Sequence, residues 1–282
     1  MIVGVVGLGR MGAGIAERLA ATGQLGAIWD LRLPDPAPAP VMPVAEMAQA
    51  VDLLLFAVPT TAEVRAAVVG IEIPEGRIIV DLTTSDPLEG AALARDLAAR
   101  GVGYLDAAMT GGAQGAADGT LSLMIGGDAA ILARARPVLE RFAKRIFHLG
   151  PAGRGQTMKL VHNAVLHATY LATCEGLRLA ERAGIDAAEA VAVLNAGNAR
   201  SYVSEVRFPR DVLKPEPSAK SAVGTLAKDL ALMAQLAERM QAPAPYADMT
   251  AALLAVACRI GDPGRDFGLL FREFDHVAEA SR

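Results

Sequence analysis

The sequence predicts an α/β fold with a doubly wound, mostly parallel sheet at the N-terminus and an all-α domain at the C-terminus. Up to about residue 150, short β-rich runs alternate with helical segments, as in parallel sheets with helices on both faces. After Gly155 almost no strand signal remains, and a proline-free helical pattern covers 156–183. These observations predict an α/β domain over 1–153 and an all-α domain over 154–282, joined by the long helix.

The individual elements follow from hydrophobic periodicity and from glycine and proline. The segment 34–43 has proline at nearly every second position, which forbids a helix and favours extended geometry. We therefore expect the usual crossover helix after the second strand to be missing, with a brief helix at 44–50 instead. The predicted strands are 2–6, 27–30, 53–58, 78–82, 103–106, 121–125 and 145–149, and further helices are predicted at 187–195, 202–213, 219–240 and 244–260.

The composition argues against nucleic-acid and membrane partners. The chain has 282 residues, of which 52% are hydrophobic and 21% are charged, with a formal net charge of −4. The chain therefore lacks the excess of positive charge with which proteins bind nucleic acid or an anionic membrane. No apolar run approaches a membrane span, and the N-terminus lacks the features of a signal peptide, so we expect a cytoplasmic protein. Cys174 and Cys258 show no metal-ligand spacing, and no metal site is predicted.

A glycine motif lies between the first predicted strand and the first predicted helix. In a strand–G-x-G-x-x-G–helix unit the glycines make a tight turn, admit a pyrophosphate and let helix and strand pack closely, while the helix N-terminus attracts phosphates. This arrangement predicts a Rossmann dinucleotide site. Its residues are Gly7, Leu8, Gly9, Arg10, Met11 and Gly12.

Asp30 ends the next apolar run, 18 residues beyond Gly12, which is close to the spacing of about 20 residues at which an acid typically holds the ribose 2′-hydroxyl. Such an acid repels a 2′-phosphate and favours NAD over NADP. Arg32 and the proline-rich 34–43 segment oppose that preference, and the alternative interpretation of Asp30 is a solvated turn residue. Two loops at the carboxyl ends of strands are also expected to face the cofactor, through Val58, Pro59 and Thr84.

Four sequence blocks together are similar to the β-hydroxyacid dehydrogenase family, which includes 3-hydroxyisobutyrate dehydrogenases and tartronate semialdehyde reductases. Within the second block, Ala108, Met109 and Thr110 stand where the family usually has Pro, Val and Ser. The blocks are Gly7–Gly12; Asp106–Gly112 continuing to Leu121; Gly150, Gly153 and Gly155 with Lys159 and Asn163; and Lys228–Leu230.

The resemblance implies hydride transfer between NAD or NADP and a small 3-hydroxy acid or its semialdehyde. It assigns general acid–base catalysis to Lys159, orientation of substrate or lysine to Asn163, and a place near cofactor and substrate to Lys228. The chemistry agrees, because alcohol oxidation needs a base for the hydroxyl proton. Thr110, Gly111 and Gly112 offer a hydroxyl and accessible backbone N–H groups for the substrate carboxylate, and Lys159 and Asn163 complete the predicted substrate site. The resemblance also implies a homodimer or homotetramer, with a dinucleotide-binding domain over 1–153 and a substrate and oligomerisation domain over 154–282.

Two other functions compete with this interpretation. Imine reductases use a similar scaffold but generally lack the lysine found here at Lys159. A non-catalytic dinucleotide-binding interaction protein would not need Lys159, Asn163 and Lys228 together. Both alternatives predict no turnover of 3-hydroxy acids.

Overall fold

The computed structural model describes residues 1–282, which form two compact units, Met1–Lys159 and Leu160–Arg282. The first unit contains a seven-stranded sheet in the order β2-β1-β3-β4-β5-β6-β7. Its strands are β1 (Val3–Val6), β2 (Leu25–Trp29), β3 (Leu53–Phe56), β4 (Ile78–Asp81), β5 (Gly103–Thr110), β6 (Leu121–Gly127) and β7 (Ala143–His148). The helices around it are α1 (Arg10–Ala21), α2 (Val44–Ala50), α3 (Thr61–Val68), α4 (Pro87–Ala98), α5 (Gly112–Asp118) and α6 (Ala129–Leu139).

The sheet is parallel except where β5 pairs antiparallel with β6, which confirms the predicted doubly wound, mostly parallel class. Apolar clusters cover both faces of the sheet. One contains Ile15 and Leu19 of α1, and the other contains Met47 of α2 and Val64 of α3. Strands buried on both faces read as continuous apolar runs, which is why they could be recognised in the sequence.

The link between β2 and β3 has the predicted form. The segment 34–43 contains no helix, and a seven-residue helix follows at Val44–Ala50. The prediction for β5 was too short, because that strand extends to Thr110. Its pairing with β6 continues to the pair Thr110↔Ser122, and this partner could not be read from the local sequence.

The second unit is all-α, as predicted. Its helices are α7 (Arg154–Arg182), which begins in the first unit, α8 (Ala187–Ala196), a π-helix (Val203–Val212), α9 (Val223–Arg239), α10 (Pro245–Ile260), a 3₁₀ turn (Phe267–Leu269) and α11 (Leu270–Glu279). An aromatic cluster lies in its core. The ring of Tyr170 lies 5.7 Å from that of Phe208 and 5.1 Å from that of Phe267.

Three details of the helical unit differ from the predictions. The helix predicted at 202–213 is a π-helix that contains Pro209. At its end the Leu213 N–H donates to the carbonyl oxygen of Phe208, five residues earlier, which is the hydrogen-bond spacing of a π-helix. The helix predicted from 219 begins at Val223, because the Asp266 carboxylate accepts the N–H groups of Ala219 and Lys220 at 2.7 Å and holds them outside the helix. The last helix, α11, was not predicted.

Bilayer-spanning helices are not found: none of the helices combines the length and the apolar character that a membrane crossing needs.

Candidate active site

The glycine motif forms the turn between β1 and α1. Gly7 has a φ of +91°, a left-handed conformation that favours glycine. A Cβ on Gly12 would collide with the carbonyl oxygen of Gly7, so this glycine lets the helix pack on the turn. A Cβ on Gly9 would meet no heavy atom within 4 Å. The backbone at Gly9 is therefore open to a close-approaching ligand, and this geometry fits a dinucleotide pyrophosphate.

Asp30 lies against this turn. Its carboxylate accepts hydrogen bonds from the backbone N–H of Leu8 and, at 2.8 Å, from that of Arg32. The side chain is half-buried directly after β2. The structure thus brings Asp30 and the glycine motif together, and a carboxylate at this place in a Rossmann fold can hold the ribose hydroxyls.

The loops after β3 and β4 supply the other residues predicted to face the cofactor. Val58 lies next to the glycine turn, since a Cβ on Gly7 would lie 3.1 Å from its Cγ1 atom. Pro59 is exposed and Thr84 is half-exposed. Thr83 is buried instead and donates its backbone N–H to the Asp81 carboxylate at 2.8 Å. Thr84 is thus the more exposed of the two threonines in this loop.

The residues predicted to bind the substrate carboxylate form a turn at the end of β5. Gly111 and Gly112 have φ values of +127° and +67°, and both are exposed. Thr110 is half-buried and ends the strand. Positive φ at two successive residues explains why both are glycine. Two exposed glycines thus follow a half-buried threonine at the end of β5.

Lys159 and Asn163 are both on α7, four residues apart, so their side chains share one face of the helix. Lys159 is half-buried and Asn163 is only 5% exposed. The Asn163 amide donates from Nδ2 to Asp229 Oδ2 at 2.7 Å, and its Oδ1 atom lies 3.0 Å from His162 Nδ1. The Asn163 amide is therefore held on both sides.

Asp229 is a site residue to which sequence reasoning gave no role. It is 4% exposed on α9, and its Oδ1 atom lies 3.2 Å from Lys228 Nζ. Together with its bond to Asn163, this contact links the predicted residues Asn163 and Lys228 through one buried carboxylate. The pair Lys228-Asp229 is visible in the sequence, but the partner on α7 is 66 residues away.

Two further polar residues without a predicted role meet at the start of α7. The Asp106 carboxylate on β5 accepts the backbone N–H of Gly153 at 2.8 Å and that of Gln156 at 2.9 Å. Gln156 is fully buried and donates from Nε2 to Thr61 Oγ1 at 2.9 Å. Asp106 belongs to a noted block, whereas nothing in the local sequence pointed to Gln156.

Comparison with known families gives two adjoining matches. The family described as the NAD binding domain of 6-phosphogluconate dehydrogenase matches residues 2–150, more than half of the chain. The family described as NAD-binding of NADP-dependent 3-hydroxyisobutyrate dehydrogenase matches residues 153–273. The chain belongs to the β-hydroxyacid dehydrogenase family. It is therefore an NAD(P)-dependent oxidoreductase.

Relatives within this family cover nearly the whole chain. It is 33% identical to 2-hydroxy-3-oxopropionate reductase of Escherichia coli, with 85% of each chain covered. It is 28% identical to the NAD-dependent L-serine dehydrogenase of Pseudomonas aeruginosa, with 97% of each chain covered. A solved structure of Mycobacterium tuberculosis 3-hydroxyisobutyrate dehydrogenase with L-serine superposes with a TM-score of 0.86 at 26% identity, covering 97% of this chain and 99% of the other.

Imine reductases share the fold at lower similarity. The enzyme from a Pseudomonas species superposes with a TM-score of 0.61 at 18% identity, covering 96% of this chain and 98% of the other. This likeness concerns architecture alone. The alternative of an imine reductase-like enzyme therefore gains no chemical support from it.

Proposed function

We propose that this β-hydroxyacid dehydrogenase oxidises a small 3-hydroxy acid with NAD, or reduces the matching semialdehyde, and that Lys159 is the general acid–base. The observation that carries the proposal is the arrangement around β5. This strand ends in the accessible Thr110–Gly112 turn, and its Asp106 is hydrogen-bonded to the start of the helix that bears Lys159. A carboxylate-binding turn and a proton-transfer group are thus attached to one strand.

Each residue of the proposed substrate site has its own role in the reaction. The backbone N–H groups of Gly111 and Gly112, with the Thr110 hydroxyl, hold the substrate carboxylate. Lys159 removes the proton from the substrate hydroxyl during oxidation and returns it during reduction. Asn163, fixed by Asp229 and His162, orients the hydroxyl towards the lysine. When bound, the nicotinamide accepts or supplies the hydride.

Cofactor binding is assigned to the residues around the glycine turn. Gly7–Gly12 hold the pyrophosphate, Asp30 holds the ribose hydroxyls, and Val58, Pro59 and Thr84 line the loops beside them. Lys228, 3.2 Å from Asp229, contributes a positive charge near cofactor and substrate. We also propose a dinucleotide-binding domain over 1–153 and a substrate and oligomerisation domain over 154–282. The cytoplasmic location, the homodimer or homotetramer and the absence of a nucleic-acid partner stay predictions.

Replacing Asp30 by asparagine is expected to weaken the preference for NAD. The substitution keeps an oxygen that can accept the Leu8 N–H bond but removes the charge that repels a 2′-phosphate. Hydrogen bonds to charged groups contribute about 1.5–3 kcal/mol, so we expect kcat/KM for NAD to fall roughly 10- to 100-fold and that for NADP to rise. Arg32→Ala is the companion variant, because Arg32 is the basic residue able to receive that phosphate. Wild-type enzyme that already uses NADP better than NAD would contradict the assignment.

The experiment that tests the function is absorbance of the reduced nicotinamide, with NAD and NADP tested separately. The substrate panel contains 3-hydroxyisobutyrate, glycerate, serine and threonate, and the matching aldehydes are tested in the reverse direction. We expect turnover with NAD and at least one of these acids. Turnover of cyclic imines without turnover of any hydroxy acid would overturn the proposal in favour of an imine reductase. NAD binding without any turnover would indicate a binding protein.

A further inference from the structure

We propose that Asp106 and Gln156 are positioning residues that hold Lys159 at a set distance from the substrate turn. This inference rests on the proposed role of Lys159. It concerns the α7 anchor, which we define as Asp106, Gln156 and the backbone of 153–156. None of these groups is expected to touch the substrate, and their effect is exerted through the helix.

Helix α7 has an unusual N-terminal cap. Most capped helices of this protein take their cap from the preceding residue, as Asp128 does for α6 and Asp86 for α4. The N–H groups at the start of α7 are instead accepted by Asp106, which lies on β5 and is 47 residues earlier than Gly153. Each carboxylate oxygen takes one bond, Oδ1 from Gly153 and Oδ2 from Gln156. Capping here ties the helix to the sheet.

The residues around this cap are closely packed. A Cβ on Gly126 of β6 would lie 2.6 Å from Asp106 Oδ1, and a Cβ on Gly155 would lie 2.8 Å from the Asp106 carbonyl oxygen. A Cβ on Gly153 would lie 2.6 Å from the carbonyl oxygen of Pro87. These glycines let the first turn of α7 lie directly on β5, β6 and the start of α4. The first turn of α7 therefore cannot shift along these elements without steric clashes.

The side chain of Gln156 adds further hydrogen bonds to this anchor. Its Nε2 atom reaches Thr61 Oγ1 at 2.9 Å and Asp81 Oδ2 at 3.4 Å, which ties the same turn to α3 and β4. Asp81 also accepts the Thr61 and Tyr104 hydroxyls at 2.7 and 2.8 Å. Gln156, Asp81 and Thr61 are all fully buried. In such surroundings a broken polar contact is costly, so the network resists displacement of the helix.

The α7 anchor lies between the two halves of the proposed site along β5 and α7. Lys159 follows Gln156 by three residues on α7, one helical turn beyond the anchor. The Thr110 turn follows Asp106 on β5. The anchor thus joins the strand that carries the carboxylate-binding turn to the helix that carries the acid–base group. Proton transfer depends on this separation, and a displacement of about 1 Å can lower a rate about 10²-fold.

The test is kinetic comparison of Asp106→Asn and Gln156→Met with the wild type. The asparagine keeps the shape of Asp106 but can accept only one of the two N–H bonds. We expect its kcat to fall about 10–10²-fold, with KM and the Kd for NAD changed less than about threefold. Gln156→Met removes the tie to Thr61 while sparing the backbone bonds, so a smaller kcat loss in the same pattern is expected. If Asp106→Asn does not fold, the kcat of Gln156→Met tests the positioning role instead.

Asp128→Asn is the matched control. Asp128 caps α6 by accepting the N–H of Ala130 at 2.7 Å, and α6 carries no proposed site residue. The kcat of Asp128→Asn is expected to remain within about twofold of the wild-type value. Equal losses in kcat and NAD affinity in Asp106→Asn would indicate a purely structural role and overturn the inference, as would unchanged kcat in both anchor variants.

Hydrogen exchange separates failure of this inference from failure of the proposed function. If no hydroxy acid is turned over by the wild type, the function fails. Faster exchange of the 150–160 amides in Asp106→Asn would still support the anchor, and unchanged exchange would overturn it. If Lys159→Ala is inactive while both anchor variants are fully active, the function stands and the anchor role is wrong.

A pH profile supplies a second readout. Burial raises the pKa of Asp106 to about 6, with a further upward effect from Asp81, while the bonds from Gly153 and Gln156 oppose it. The pKa of Tyr104 is raised well above its ordinary value, so its hydroxyl stays neutral. The basic residues of α7 that are nearest to Gln156 in the sequence are Arg154 and Lys159. In the reducing direction, wild-type kcat should fall as Asp106 is protonated below about pH 6, and this acid limb should be absent from Asp106→Asn.

Discussion

Replacing Lys159 by alanine is expected to lower kcat by about 10²–10⁴-fold, the range typical of a lost general acid–base group. The Kd for NAD should change by no more than a few-fold, because the glycine turn and Asp30 are intact. Steady-state kinetics in both directions, with NAD binding measured by calorimetry, checks both statements. Loss of kcat without loss of cofactor binding is the signature of a group that acts in the transition state.

Two additions make this test specific. Lys144→Ala removes an exposed lysine on β7 of the same unit and is expected to leave kcat unchanged. Small primary amines added to Lys159→Ala should restore part of the activity, because an amine in solution can replace the missing base. Full activity of Lys159→Ala would remove this residue from the mechanism.

Two alanine variants of the glycine turn are expected to differ: Gly9→Ala weakens NAD binding, whereas Gly12→Ala lowers the stability of the fold. Gly9→Ala should keep the melting temperature of the wild type, since Gly9 has φ −62° and ψ −173° and its Cβ would meet no protein atom within 4 Å. Its methyl group would occupy the surface that the pyrophosphate approaches. We therefore expect the Kd for NAD to rise at least about tenfold, a loss of roughly 1.4 kcal/mol of binding free energy.

Gly12→Ala should behave in the opposite way. Its Cβ would collide with the Gly7 carbonyl oxygen and would lie 3.1 Å from Ala57 Cβ, so backbone must move before α1 can pack. A large fall in melting temperature is expected, together with loss of NAD binding. Thermal unfolding and calorimetry of both variants provide the comparison. Wild-type NAD affinity in Gly9→Ala would remove the cofactor from this turn.

The central strands β1, β3 and β4 were predictable because each is buried along its whole length and reads as an apolar run. β3 (Leu53–Phe56) is buried at every position. Predictions failed where a distant partner decides the structure. β5 continues to Thr110 only because β6 pairs with it, and the residues before α9 leave the helical pattern because Asp266 binds their N–H groups.

The same division applies to the candidate site. The sequence by itself determined the glycine turn, the Thr110–Gly112 turn and the spacing of Lys159 and Asn163, because each depends on backbone conformation or helix periodicity within a few residues. Only the tertiary structure decided that Asp229 holds Asn163 and that Asp106 and Gln156 anchor the helix of Lys159. Those contacts join residues far apart in the chain. They arise from strand order and helix packing, and burial requires their polar groups to find partners there.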